Sequence, residues 1–271
     1  MIRWRTDSRT SKTKTVSALL ALFGVGMFAA FSARAEAERD PASTFEAQST
    51  FDLSFIPKIG HDLMAPLTSP GSTYLLFGAG SALAAYPFRK SVATEVGGDK
   101  PLGKSAPYGY ELGLWKINVA YFLTSLGYGI VASSPKAIDD SMLMLRASVY
   151  TALVTTGLKE MQFEQRPRRD GDRASFPSGH ASNAFAFAGT IYRNHGPWAG
   201  IPALAIASFV SFSRLNDNAH YLHDTLFGAG LGLSYSFGLD SVWSDKATGR
   251  SVALVPIVSG KDYGAATVID F

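Results

Sequence analysis

The chain has 271 residues, is 46% hydrophobic and 12% aromatic, and carries a formal net charge of +3. That length allows one large domain or two small ones, and the small charge gives no reason to expect nucleic acid as a partner. Cysteine is absent, which excludes disulfides, a thiol nucleophile, zinc–thiolate centres and a lipidated N-terminal cysteine.

Residues 1–35 read as an export signal. Arg3, Arg5, Arg9, Lys12 and Lys14 form a basic start. An uncharged apolar run, VSALLALFGVGMFAAF, follows at 16–31, and ARA at 33–35 is a small-x-small cleavage site. The mature chain would begin near Glu36, and an uncleaved anchor is the other reading of the same run. Either way, the remainder is expected outside the cytoplasm, periplasmic or on the outer side of a membrane.

Residues 36–72 read as a polar leader followed by short helices or turns, because 51–72 mixes apolar residues with three prolines. A helical domain is expected over 73–240. Its apolar blocks are 73–88, 111–133, 140–161, 181–193, 197–213 and 224–239, all rich in Ala, Leu, Phe and Gly. They predict a mainly α fold, a bundle of about six core helices, with 89–110 as an exposed Gly/Lys-rich loop. Most blocks fall short of the ~20 apolar residues of a membrane span. Lys116, Asn118 and Arg146 interrupt two of them. Buried helices of a soluble exported domain are the first reading, and a compact six-helix integral membrane protein is the second. The tail, 241–271, holds two β-prone runs around SGKDYG, which predict a hairpin.

Three polar clusters punctuate the helical region. The first, KEMQFEQRP, places Lys159 in the last turn of one helix and Arg166 in the loop beyond it. The second, FPSGHASNAFAF, is turn chemistry running into a helix. Ser178 is a candidate N-cap, the helix start favours an anion, Gly179 admits a ligand close to the backbone, and His180 stands beside it. The third, SRLNDNAHYLHDTLFGAG at 213–230, contains Arg214, Asp217, His220, His223 and Asp224. If a helix begins near Asn218, His220 and Asp224 share a face at four-residue spacing, so Asp224 accepts a hydrogen bond from one His220 ring nitrogen. The other nitrogen is then a poised nucleophile or base. Asp217 and His223 read as solvated or structural.

HYLHD also offers a zinc-type ligand set, but Lys159, Arg166 and Arg214 would repel a divalent cation. The same three cations suit a phosphoryl group, whose transfer needs charge stabilisation, an in-line nucleophile and a proton for the leaving group.

These clusters resemble the signature of the type 2 phosphatidic-acid phosphatase superfamily, which also includes bacterial acid phosphatases and vanadium haloperoxidases. That signature is K-x6-R-P, then P-S-G-H, then S-R-x5-H-x3-D. Here it reads Lys159-x6-Arg166-Pro167, Pro177-Ser178-Gly179-His180 and Ser213-Arg214-x5-His220-x3-Asp224. The resemblance implies a helical, metal-free phosphatase without cofactor, acting on phosphate monoesters that include lipid phosphates. It implies that His220 attacks phosphorus to form a phosphohistidine and that Asp224 orients it. His180 protonates the leaving oxygen and then activates water. Lys159, Arg166 and Arg214 hold the phosphate oxygens, with Ser178 and Gly179 completing the cradle.

Arg168, Arg169 and Arg173, beside the signature, read as a solvated loop or as a rim for anionic substrates such as lipid headgroups at a membrane surface. Three rival functions share the residues: a haloperoxidase binding vanadate as its cofactor, a phosphotransferase to a lipid or sugar, and a non-catalytic phosphate-binding envelope protein.

Overall fold

A computed structural model describes residues 59–168, 171–239, 251–259 and 262–270. The signal segment, the leader to residue 58, Arg169 and most of the stretch before the tail hairpin lie outside the described residues.

The described helices are α1 (Ile59–Thr68), α2 (Ser72–Ala85), α3 (Arg89–Asp99), α4 (Ala106–Leu112), α5 (Lys116–Val131), α6 (Pro135–Glu160), α7 (Gly179–His195), α8 (Pro197–Asn216) and α9 (Leu222–Gly238). The chain is mainly α, as its composition predicts, and the six apolar blocks correspond to α2 and α5 to α9. Helix boundaries follow local chemistry. Ser134 caps α6 with Pro135 at its first position, and the Ser134 hydroxyl accepts the Ala137 N–H. Gly196, at φ 77°, ends α7, and Pro197 starts α8. In the tail, β1 (Ser251–Ser259) and β2 (Asp262–Asp270) pair antiparallel, Ser251 opposite Asp270 and Ser259 opposite Asp262.

Helix α9 is the axis of the bundle. All but one of its residues are buried, with Phe227 partly so, and it packs chiefly on α7 and α2. Leu233 and Phe237 join Tyr74, Met144, Phe185 and Val210 in one core cluster, while Leu231 and Tyr235 meet Leu143 and Tyr150 in a second. A helix buried on every side needs small residues where neighbours cross. A Cβ on Gly230 would lie 2.6 Å from Gly78 Cα of α2, and one on Gly232 would lie 2.6 Å from Ala186 N of α7. Gly232→Ala is therefore expected to force α7 and α9 apart and to destabilise the fold by about 1–3 kcal/mol, read as a lowered thermal midpoint. An unchanged midpoint would show that the crossing has slack.

One expectation is overturned. Residues 89–110 are not an exposed loop. They contain α3 and α4 with short 3-10 turns, and Val92, Ala93, Val96 and Ala106 are buried. Val92 and Val96, one turn apart, pack with Ala82, Leu215, Leu222 and Leu226. Two valines in an otherwise polar segment leave too narrow an apolar stripe to be read as a buried helix. Arg146, which interrupts an apolar block in sequence, is buried too. It forms a bidentate pair with buried Asp62 of α1, Nε to Oδ2 at 2.9 Å and NH2 to Oδ1 at 2.6 Å.

Candidate active site

The three polar clusters converge where α6 ends, α7 begins and the α8–α9 connection turns. Lys159 sits in the last turn of α6, and its ammonium donates to the Ala174 carbonyl at 2.7 Å. Two of its three N–H donors remain for other acceptors. Arg166 lies in the loop beyond. Its Nε donates to Asp172 Oδ2 at 2.6 Å and its NH1 to the Ala219 carbonyl at 3.0 Å. Asp172 is itself held by the Ala174 N–H, which, with Arg166, keeps its carboxyl below the usual range. Arg214 ends α8, is buried, faces the Tyr110 ring at 5.2 Å and pairs with Asp217 at 3.2 Å. Burial pulls its guanidinium below its ordinary value against the opposing effect of Asp217.

Ser178 is the N-cap of α7, its hydroxyl accepting the Ala181 N–H at 3.4 Å, as the motif predicts. Its own N–H donates to the Asp224 carbonyl at 3.0 Å, tying α7 to α9. A Cβ on Gly179 would meet only ordinary contacts, Lys159 Cε at 3.7 Å and Thr155 Cγ2 at 3.8 Å, so packing within the protein does not demand glycine there.

His220 Nε2 lies 3.1 Å from Arg166 NH1. A guanidinium donates and cannot accept, so Nε2 presents its lone pair toward the cations and the ring hydrogen belongs on Nδ1. Nδ1 faces Asp224 Oδ2 at 3.5 Å. The predicted pairing thus exists, but with two corrections. First, His220 is not on a helix: α9 begins at Leu222, and Asp224 stands in its first turn, accepting the Tyr221 N–H at 2.9 Å. Second, 3.5 Å is an electrostatic contact and too long for a normal hydrogen bond. Oδ2 is already used by the Tyr221 N–H and by the Ser175 hydroxyl at 2.6 Å.

Of the two readings of His223, solvated or structural, the second fits: it is buried, and its Nε2 lies 3.1 Å from Asp224 Oδ1 and 2.9 Å from Glu164 Oε2.

The electrostatics report one shared site. Burial drives the His180 imidazole down to about 3, and Arg214, His220, Arg166 and Lys159 all push the same way. Burial takes His220 down to about 4, opposed by Asp224 and aided by Lys159 and Arg166. Lys159 falls to about 8 through burial and the Arg166 charge. Direct contacts agree: Arg166 NH1 lies 3.1 Å from His220 Nε2, and the Tyr110 ring stands 4.8 Å from the His180 ring and 5.2 Å from the Arg214 guanidinium. Buried His180 Nε2 and Arg214 Nε have no hydrogen-bond partner among the described residues.

Sequence reasoning missed Ser175, Asp172, Glu164 and Tyr110, whose ring stands 4.8 Å from His180. Ser175 and Asp172 precede P-S-G-H by only a few residues, but nothing in their spacing marks the partner each one finds.

A helical site of this kind, with three cations and two imidazoles at helix termini, has charges suited to a tetrahedral oxyanion. Residues 143–246 match the model of the PAP2 superfamily. A 72-residue stretch is 40% identical to a lipid A 1-phosphatase of Porphyromonas gingivalis, covering 25% of this chain and 16% of that protein. The fold is similar to the crystal structure of a transmembrane PAP2-type phosphatidylglycerolphosphate phosphatase from Bacillus subtilis. The TM-score is 0.52 at 23% identity, over 62% of this chain and 92% of that one.

Proposed function

We propose that the chain is a phosphoric monoester hydrolase that carries the phosphoryl group on His220 and needs no metal ion. The observation that carries this reading is the convergence of Lys159, Arg166 and Arg214 on His180 and His220. The cations neutralise the non-bridging oxygens. His220 Nε2 forms a bond to phosphorus as the bond to the leaving oxygen breaks, and His180 gives that oxygen its proton. In the second step His180 removes a proton from water, the new P–O bond forms, and the P–N bond breaks to release phosphate. Asp224 offsets the charge that His220 acquires. His180 is neutral in the free site at neutral pH. A bound phosphate dianion offsets the cations around it and so raises its affinity for a proton.

The pH dependence follows. His220 must be neutral to attack, so kcat/KM is expected to rise as pH passes upward through about 4. Lys159 must be charged to hold phosphate, so kcat/KM is expected to fall as pH rises through about 8. A profile flat from about pH 4 to about pH 9 would contradict the scheme.

Lipid phosphates at a membrane are the proposed substrates. Both proteins similar to this chain are named for lipid phosphates. The helix surface supports lipid contact: Leu76, Leu83, Val131 and Trp198 are 70%, 76%, 88% and 92% exposed. Among the described residues, Pro197–Asn216 is the one helix long and apolar enough to cross a bilayer. Export and membrane association are proposed together, placing Arg168 and Arg173, both exposed, near anionic headgroups. The test is hydrolysis of a panel of soluble and lipid phosphate esters by the purified full chain with EDTA present, with fractionation into soluble and membrane pools. Loss of activity in EDTA, or bromide oxidation dependent on vanadate and peroxide in place of hydrolysis, would overturn the reading.

A further inference from the structure

The mechanism above uses one edge of the Asp224 carboxylate, the Oδ2 edge toward His220. The opposite edge is held by a second assembly that the signature does not contain. His223 Nε2 lies between Asp224 Oδ1 at 3.1 Å and Glu164 Oε2 at 2.9 Å. A lone pair facing two carboxylates would be repelled by both, so Nε2 carries the hydrogen. Asp224 Oδ1 has no hydrogen bond of normal geometry among the described residues, so the His223 contact with it is electrostatic. Glu164 is anchored in turn by Arg89 Nε at 2.8 Å, and the Arg89 guanidinium stacks 3.9 Å over the Tyr86 ring. The imidazole cannot turn freely. Tyr221 and Phe176 flank it in near-parallel stacks at 5.7 and 6.0 Å, and Tyr86 meets it edge-on at 5.0 Å.

We propose that His223 and Glu164 are positioning residues: they fix the Asp224 carboxylate from behind so that Oδ2 stays aimed at His220 Nδ1. The inference rests on the phosphatase reading. Its physical basis is the softness of a carboxylate about its terminal torsion. Ser175 and the Tyr221 N–H grip Oδ2 alone, so without a contact at Oδ1 the group can pivot about that atom. The His223 N–H dipole, with Nε2 3.1 Å from Oδ1, opposes that pivot electrostatically. Asp224 is 0% exposed, so water does not supply that donor from bulk solvent. The same residues do not suit a resident divalent cation, although Glu164, His223 and Asp224 offer ligand atoms within 4.8 Å of one another. The Arg89 charge already sits on Glu164, and a cation would have to displace the hydrogen on His223 Nε2. Packing alone does not account for the arrangement either, since filling this space needs neither an imidazole nor the ion pair beside it.

The test compares His223→Gln, whose amide nitrogen overlays imidazole Nε2, with His223→Leu, which keeps bulk and loses the donor. Both are made in the full chain. They are assayed with the phosphate ester that wild type hydrolyses fastest, and inorganic phosphate as a competitive inhibitor reports an intact cradle. Expected for His223→Leu is a fall in kcat of about 30-fold, with KM and phosphate inhibition within about threefold of wild type, because the loss falls on the transition state and spares binding. Expected for His223→Gln is recovery to within about fivefold of wild type. The proposal is overturned if His223→Leu keeps kcat within about threefold, or if His223→Gln binds phosphate normally yet is slower than wild type by more than about 30-fold. That second criterion decides alone should the leucine variant not fold, and a glutamine variant that neither folds nor binds phosphate assigns His223 to the fold and also overturns the proposal. A wild-type chain that hydrolyses no ester in the panel overturns the phosphatase reading itself, an outcome distinct from either variant failing against an active wild type.

Discussion

His220→Ala is expected to lower kcat by about 10⁴-fold or more while inorganic phosphate still binds. His220 turns its unprotonated Nε2 toward Arg166, while His180 is assigned the proton transfer, so alanine at 220 removes the proposed nucleophile. Arg166 loses its contact with Nε2 but keeps the Asp172 carboxylate and the Ala219 carbonyl, so its guanidinium stays in place. Arg214 meets His220 through its backbone carbonyl, which accepts the His220 N–H at 3.3 Å, a bond that alanine keeps. The separation of turnover from binding is therefore the diagnostic result, measured as kcat for hydrolysis against the inhibition constant of phosphate. A variant within about tenfold of wild type would mean that water attacks phosphorus directly and that His220 only binds. A variant that loses phosphate binding in the same proportion would place His220 among the binding groups.

Asp62→Ala is expected to be among the most destabilising single changes in the molecule, at about 3–5 kcal/mol. Asp62 and Arg146 are both buried and meet through two hydrogen bonds between α1 and α6. Removing the carboxylate leaves a guanidinium out of water without its partner, which costs far more than the ion pair contributes net. For a chain of this size the loss corresponds to a fall of roughly 10 °C or more in the thermal midpoint. The double replacement Asp62→Leu with Arg146→Met removes both charges and is expected to recover most of that loss. A small effect of Asp62→Ala would show that α1 detaches readily from α6 and lets water reach Arg146.

Both predictions draw on features with different visibility in the sequence. The three signature clusters are legible because each is short and its chemistry local. Ser178 caps the helix it precedes, Lys159 ends the helix it belongs to, and Arg166 follows at a fixed distance. Helices α5 to α9 are legible for a related reason, since their apolar runs are long, and Ser134 and Ser178 cap two of them. What fails is whatever depends on chain segments meeting from afar. Arg146 looks like an interruption until Asp62, 84 residues earlier, is beside it. His223 looks incidental until Glu164 arrives from the loop after α6. Helix α3 looks polar because its buried face has only two large apolar residues, Val92 and Val96, beside Ala93 and Gly97. The His220–Asp224 pair is a mixed case: the partners are right, but the helix begins after His220, not before it. The sequence spacing of four residues is met by a turn with Asn218 in the left-handed region, at φ 52°, leading into an N-terminal carboxylate. A helical face and such a turn bring the same two side chains together, and spacing alone does not separate them.

The central claim is a covalent bond between phosphorus and His220. The most direct measurement is rapid quenching of the wild-type chain during turnover into alkaline denaturant, where a phosphoramidate survives, followed by mass spectrometry of the peptide spanning the α8–α9 connection. The account predicts phosphate on His220, absent from His220→Ala and unaffected by EDTA. Turnover at full rate with no phosphate on any histidine, or with phosphate on His180 instead, would contradict it.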